Sequence, residues 1–141
     1  MNPPKILIVD DDQVALRNLR HILDKEGCEV ATSPTGLRAM ELLEEEEYDL
    51  VLTDLRMPMV DGMEILERTR HLYPDSEVIM ITGYAKKDSA TEAIKAGAYN
   101  YVVKPYKLDE FRKVVREALE NRKLKLEKRQ LSAPRGSLRA S

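Results

Sequence analysis

The segment ILIVDDD (6–12) drives four apolar residues straight into three carboxylates, Asp10, Asp11 and Asp12. Two unit charges about 4 Å apart repel by about 4 kcal/mol at an effective dielectric near 20, so acids gathered at the end of an apolar run need something to offset them. Other polar side chains close comparable runs. Asp54 ends DLVLTD (49–54), Thr82 ends SEVIMIT (76–82), and Lys104 lies at the end of NYVVKP (100–105). Carboxylates brought together make an oxygen-rich pocket for a hard divalent cation, and Mg2+ takes one or two of them along with waters and phosphate oxygens. A lysine alongside neutralises further anionic charge, and a threonine hydroxyl donates to an oxygen. Such a set suits a phosphoryl group beside a metal, with one carboxylate left as the nucleophile of an aspartyl-phosphate.

Taken singly, these residues have plainer uses. Asp12 stands directly before a helical pattern and is read as its N-cap. Asp54 alone suits a turn, Thr82 a strand end, and Lys104 a solvated surface. His21 and His71 fall in helical stretches with no partner at metal-ligand spacing and are read as surface residues. The chemistry therefore depends on whether the fold brings the four strand ends together.

The elements that must do so are legible. Five short apolar or β-branched runs, KILIVD (5–10), CEVATS (28–33), DLVLTD, SEVIMIT and NYVVKP, recur at the spacing of βαβ units. Helical faces lie between and after them: Ala15, Leu16, Leu19, Ile22 and Leu23; Leu37, Met40 and Leu43; Ile65, Leu66 and Leu72; Ala90, Ala93 and Ile94; Leu108, Phe111, Val115 and Leu119. Gly27, Pro34, Gly36, Pro74 and Gly97 punctuate them. Strict alternation implies an α/β fold with a parallel sheet and helices on both faces. The first, third and fourth runs are nearly uninterrupted, as strands covered on both faces must be. The second carries Glu29 and the fifth mixes in Asn and Tyr, which suits edges. The expected architecture is a flavodoxin-like, doubly wound five-stranded sheet of order 2-1-3-4-5. Ligands in such sheets bind beyond the carboxyl ends of the strands, where the order reverses. That crevice lies between the first and third strands, where Asp10, Asp11 and Asp54 fall.

Composition narrows the class. The chain has 141 residues, one domain's worth, with a net charge of −2 that hides an asymmetry. Residues 121–141 hold seven Lys/Arg and one acid, leaving 16 basic and 24 acidic side chains, a net of −8, in residues 1–120. A lone cysteine, Cys28, excludes a disulfide framework and a Cys-based metal site. No run approaches the roughly 20 apolar residues of a membrane span, and MNPPK is not the start of a signal peptide. A cytoplasmic location without membrane contact is the expectation.

LIVDDD (7–12), LTDLRMPMVDGMEIL (52–66), MITGYA (80–85) and YVVKPY (101–106) together resemble the receiver domain of two-component response regulators, over residues 4–120. The resemblance implies phosphorelay signalling, with Asp54 accepting a phosphoryl group from a sensor histidine kinase or phosphotransfer protein. It implies Mg2+ held by Asp10, Asp11, Asp54 and the backbone carbonyl of Arg56. Thr82 is similar to the switch hydroxyl, Tyr101 to the aromatic residue that follows it, and Lys104 to the family's lysine, joined to Pro105 by a cis peptide. Gly62 is expected to supply the turn after MPMVD. Phosphorylation would switch a face made by the fourth helix, fifth strand and fifth helix. The protein would then be a signalling switch that catalyses only its own phosphorylation and dephosphorylation, rather than an enzyme acting on an external substrate.

One competing reading is a haloacid-dehalogenase-like phosphatase, with Asp10 as nucleophile and Asp12 as acid/base. It requires a further strand after Lys104, whereas YKLDEFRKVVREAL is helical, and it leaves LTDLRMP without a role.

Beyond the core, RKVVREALENRKLKLEKRQL (112–131) is rich in helix formers, so the last helix is expected to continue as a basic extension over 121–133. The extension is similar to the linker of nitrogen-regulation-class transcription activators. Its apolar stripe fades after Leu119. Leu124 and Leu131 lie seven apart, but Arg122 and Arg129 interrupt the other seam, which leaves a solvated helix favoured over a DNA contact. Homodimerisation through this helix is expected, and 134–141 reads as a disordered tail. Two arrangements fit: a stand-alone receiver acting through a protein partner, or the receiver part of a longer regulator.

Overall fold

The computed structural model describes residues 2–132. Ten elements alternate: β1 Lys5–Val9, α1 Gln13–Lys25, β2 Glu29–Ser33, α2 Gly36–Glu45, β3 Leu50–Thr53, α3 Gly62–Leu72, β4 Glu77–Thr82, α4 Ser89–Lys95, β5 Asn100–Val103 and α5 Leu108–Ser132. All strand pairs are parallel, in the order β2-β1-β3-β4-β5. This is the expected flavodoxin-like arrangement.

Side chains alternate across a strand, so each central strand feeds two cores. Ile6, Ile8, Leu50, Leu52, Ile79 and Ile81 meet Leu16, Leu19 and Leu23 of α1 and Phe111, Val115 and Ala118 of α5. On the other face Leu7, Val9, Val51, Val78 and Met80 meet Ala39 and Leu43 of α2, Ile65 and Leu66 of α3, and Ala93 of α4. Burying each large aliphatic side chain contributes roughly 1.5–3 kcal/mol, which is why the near-continuous apolar runs occupy the centre.

Helix ends follow local chemistry. Asp12, Thr35 and Asp61 accept from backbone N–H groups of the first turns of α1, α2 and α3. Asp12 is thus the cap its position suggested. After α1, Gly27 takes φ +85°, and the N–H of Cys28 reaches the Leu23 carbonyl at 3.1 Å. Gly97 (φ +108°) ends α4 in the same way, with Ala98 donating to Ala93. Both are Schellman ends, where a left-handed residue lets the chain turn back on the last carbonyls.

Four sequence expectations are corrected. Leu37, Ile94 and Leu108 lie on the apolar helical faces of the sequence but are 46%, 48% and 41% exposed. In α2 the inward face is Gly36, Ala39 and Leu43 instead. Gly36 has only hydrogen where a Cβ would overlap the Val60 carbonyl and lie 2.7 Å from Val60 Cβ, so the helix closes on its neighbour through its smallest residues. α4 has only seven residues and buries only Ala93. The fourth correction concerns α5. It runs without a break to Ser132, as the propensities suggested, but its extension is not simply solvated. Arg122 is buried, and Arg122, Lys125 and Arg129 are ion-paired to the body. The tail expected over 134–141 lies outside the described residues.

Candidate functional site

Register brings the carboxylates together. Val9 pairs with Thr53, so the next residue of each strand, Asp10 and Asp54, emerges side by side at the carboxyl rim. The Asp54 N–H donates to the Val9 carbonyl at 2.9 Å and fixes that exit. β4 reaches further up the rim and ends at Thr82, which pairs with Val103 of β5. The Lys104 N–H donates to the Thr82 carbonyl at 2.9 Å, so the lysine begins directly beside the threonine. The Lys104–Pro105 peptide is cis, as the motif implied.

From there the Lys104 side chain crosses the rim. Its Nζ donates to Asp10 Oδ2 at 2.8 Å and to Asp54 Oδ2 at 3.2 Å. The other oxygen of each acid is held by backbone: Asp10 Oδ1 accepts from the Asp12 N–H at 2.9 Å, and Asp54 Oδ1 from the Arg56 N–H at 3.1 Å. Asp10 and Asp54 are buried, whereas Asp11 is exposed. Burial works to lower the Lys104 pKa, but the hydrogen bond to Asp10 and the charges of Asp10 and Asp54 outweigh it and hold the ammonium above the ordinary lysine value. This ammonium is what offsets the carboxylate repulsion, and only in part.

Carboxylate oxygens of Asp10, Asp11 and Asp54 lie within 4.8 Å of one another. Three hard oxygen donors against a single ammonium leave the pocket anionic, which suits a divalent cation of the Mg2+ kind. Cys28 is half-buried on α1's side of the sheet, and His21 and His71 are exposed, so none of them enters this pocket.

Thr82 is buried, and its Oγ1 accepts from the Tyr84 N–H at 3.0 Å. The Tyr101 hydroxyl lies 2.6 Å from Ser89 Oγ at the start of α4, and Ser89 Oγ also donates to the Lys86 carbonyl. Both side chains are therefore tied to the loop between β4 and α4. Sequence reasoning missed Ser89, because a serine at a helix start has no signature for a partner twelve residues away.

The loop after Asp54 is built differently from expectation. Its left-handed residue is Met59 (φ 68°), while Gly62 is the first residue of α3. A Cβ on Gly62 would overlap the Asp54 carbonyl oxygen and lie 2.9 Å from Leu55 Cα. The glycine is needed for close approach to the acid's own backbone rather than for a turn.

The phosphatase alternative gains nothing from this geometry. The Asp12 carboxylate caps α1, and after Lys104 the described residues form α5 with no further strand.

Residues 6–116 match the family model of the response regulator receiver domain. Over 127 residues the chain is 38% identical to the regulatory protein AtoC of Escherichia coli, covering 90% of this chain and 28% of that protein. It is 36% identical over 115 residues to sporulation initiation phosphotransferase F of Bacillus subtilis, covering 82% of this chain and 93% of that one. The crystal structure of NtrX from Brucella abortus superposes with a TM-score of 0.85 at 32% identity, covering 92% of this chain and 30% of that one. The chain thus spans under a third of the regulators it resembles but nearly all of the sporulation phosphotransferase.

Proposed function

The chain belongs to the response regulator receiver domain family, a family of phosphorelay signalling, and from that premise we propose that it is a Mg2+-dependent switch phosphorylated on Asp54. The observation that carries the proposal is the single ammonium of Lys104 bridging Asp10 and Asp54 within a three-carboxylate pocket at the sheet's switch point. Asp54 is the acceptor because it follows β3, the central strand, and so stands on the rim between Asp10 after β1 and Thr82 at the end of β4. As its oxygen bonds to phosphorus, the P–N bond to the donor histidine breaks, and the leaving imidazole takes a proton from solvent. Hydrolysis by water later returns the carboxylate and free phosphate.

Asp10, Asp11, Asp54 and the backbone carbonyl of Arg56 would hold Mg2+. When bound, the ion supplies charge neutralisation for the carboxylates and for the phosphoryl oxygens. Lys104 holds an anionic oxygen from the opposite side. The Thr82 hydroxyl, which accepts from the Tyr84 N–H at rest, turns to donate its proton to a phosphoryl oxygen, and the Tyr101 ring follows, altering the face formed by α4, β5 and α5. Such a shift needs a contact present in only one state, and the Thr82–phosphoryl hydrogen bond is that contact.

The donor is a sensor histidine kinase or phosphotransfer protein. The regulators resembled are several times longer than this chain, so an output domain following α5 is the favoured arrangement. A second copy pairs along α5, where Leu124 and Leu131 are 52% and 87% exposed and seven residues apart. Sedimentation of the chain with and without phosphorylation is expected to show a dimer in at least one state. A monomer in both ends that part of the proposal.

Asp54 is tested with acetyl phosphate and Mg2+, reading intact mass. The wild type gains one phosphoryl group and Asp54→Asn gains none. An unmodified wild type, or equal labelling of the variant, refutes the assignment.

A further inference from the structure

The inner stripe of α5 keeps one spacing while its chemistry changes. Phe111, Val115, Ala118, Arg122, Lys125 and Arg129 succeed one another at alternating intervals of four and three, the rhythm of a single helix face. The first three are buried against the apolar face of the sheet. The next three reach carboxylates near the strand starts, the end of the sheet away from Asp54. Arg122 Nε donates to Asp49 at 2.7 Å and its Nη2 to Glu47 at 2.9 Å. Lys125 donates to Glu77 at 3.0 Å and Arg129 to Asp75 at 2.8 Å. Asn121 also donates to Glu77, and Arg70 of α3 lies 3.8 Å from the same carboxylate.

These are not all surface charges meeting by chance. Glu77 is 3% exposed and Arg122 is 9% exposed, and charges so enclosed are tolerated only when paired. The acidic body and basic tail seen in the composition therefore meet here. We infer that Arg122, Lys125 and Arg129 form an intramolecular ionic clamp with Glu47, Asp49, Asp75 and Glu77, fixing the direction in which α5 leaves the domain.

Beyond Ala118 the extension has little apolar packing to hold it, so without the clamp it would fray from its C-terminal end. With it, the extension keeps one direction relative to the sheet out to Arg129. The clamp also decides which face the extension offers outward. Its basic stripe is turned to the body, and Leu124 and Leu131 are left in solvent. The inference stands whether or not Asp54 is the phosphoacceptor, because none of its residues touches that pocket.

Backbone hydrogen exchange of the full chain, read by mass spectrometry on peptides covering 121–132, tests it. Partly exposed ion pairs each change an opening equilibrium by about twofold, so Lys125→Gln with Arg129→Gln, and separately Glu77→Gln, are expected to speed exchange there severalfold. Peptides from 108–118 should be unchanged. The swap Asp75→Arg with Arg129→Asp should restore protection lost in either single reversal. Unchanged exchange in the neutralised variants, or a swap no better than its single reversals, would each overturn the clamp.

Discussion

Replacing Asp11 by asparagine separates charge repulsion from metal binding. Asp11 is exposed, while its carboxylate oxygen lies within 4.8 Å of oxygens of Asp10 and Asp54. It therefore feels two carboxylates and the one ammonium of Lys104, which leaves about one repulsion uncompensated. At that separation the repulsion is about 0.9 kcal/mol in a water-like dielectric and about 3.5 kcal/mol at an effective dielectric of 20. Exposure places Asp11 near the lower figure, about 1 kcal/mol, because solvent screens such charges. Without divalent cation, Asp11→Asn should therefore melt higher than the wild type, by roughly 3–5 °C for a domain of this size. Mg2+ narrows that gap. A cation at about ten times its dissociation constant adds about 1.4 kcal/mol to the wild type, and the variant with one donor weakened gains less. Thermal melts by circular dichroism, in EDTA and again with Mg2+, check both signs. An Asp11→Asn variant that melts below the wild type in EDTA, or equal stabilisation of both proteins by Mg2+, refutes the reasoning.

Gly62→Ala should destabilise the domain by about 1–3 kcal/mol, since its Cβ overlaps the Asp54 carbonyl oxygen and the loop must move to admit it. Chemical denaturation reads the loss, and the variant should also accept phosphate from acetyl phosphate more slowly, because the displaced backbone carries Asp54. Cys28 should react sluggishly with iodoacetamide near neutral pH. Burial pushes its thiol up, and Glu26, Asp24 and Asp49 push it further, so its alkylation should accelerate only above the ordinary thiol pKa. A rate equal to that of free cysteine near pH 7 would contradict the half-buried placement.

The sequence determined the strand order and which strand ends meet, for one physical reason. A strand covered on both faces must be apolar throughout, so ILIV, LVLT and VIMI declared themselves central, and Glu29 and Asn100 marked their strands as edges. Once that order is set, strand ends become neighbours by topology alone, which is why Asp10, Asp54, Thr82 and Lys104 were legible as one constellation from residues far apart in the chain. Asp12 was equally legible, because a cap depends only on adjacent backbone.

Other features depended on distances between elements, which no local pattern encodes. Gly36 and Gly62 are required by the approach of Val60 and Asp54, and nothing in their flanking residues announces those contacts. Tyr101 finds Ser89 only because α4 packs beside β5. Leu37 sits outward because two smaller residues bring α2 closer to its neighbours than a leucine would. The extension of α5 shows the boundary most clearly. The four-three spacing through Arg122, Lys125 and Arg129 was present in the sequence, but a basic stripe reads as solvated until something acidic faces it. Only the tertiary structure, by running α5 back across the starts of β3 and β4, put Asp49 and Glu77 there, because charge pairing is decided by where two distant segments meet.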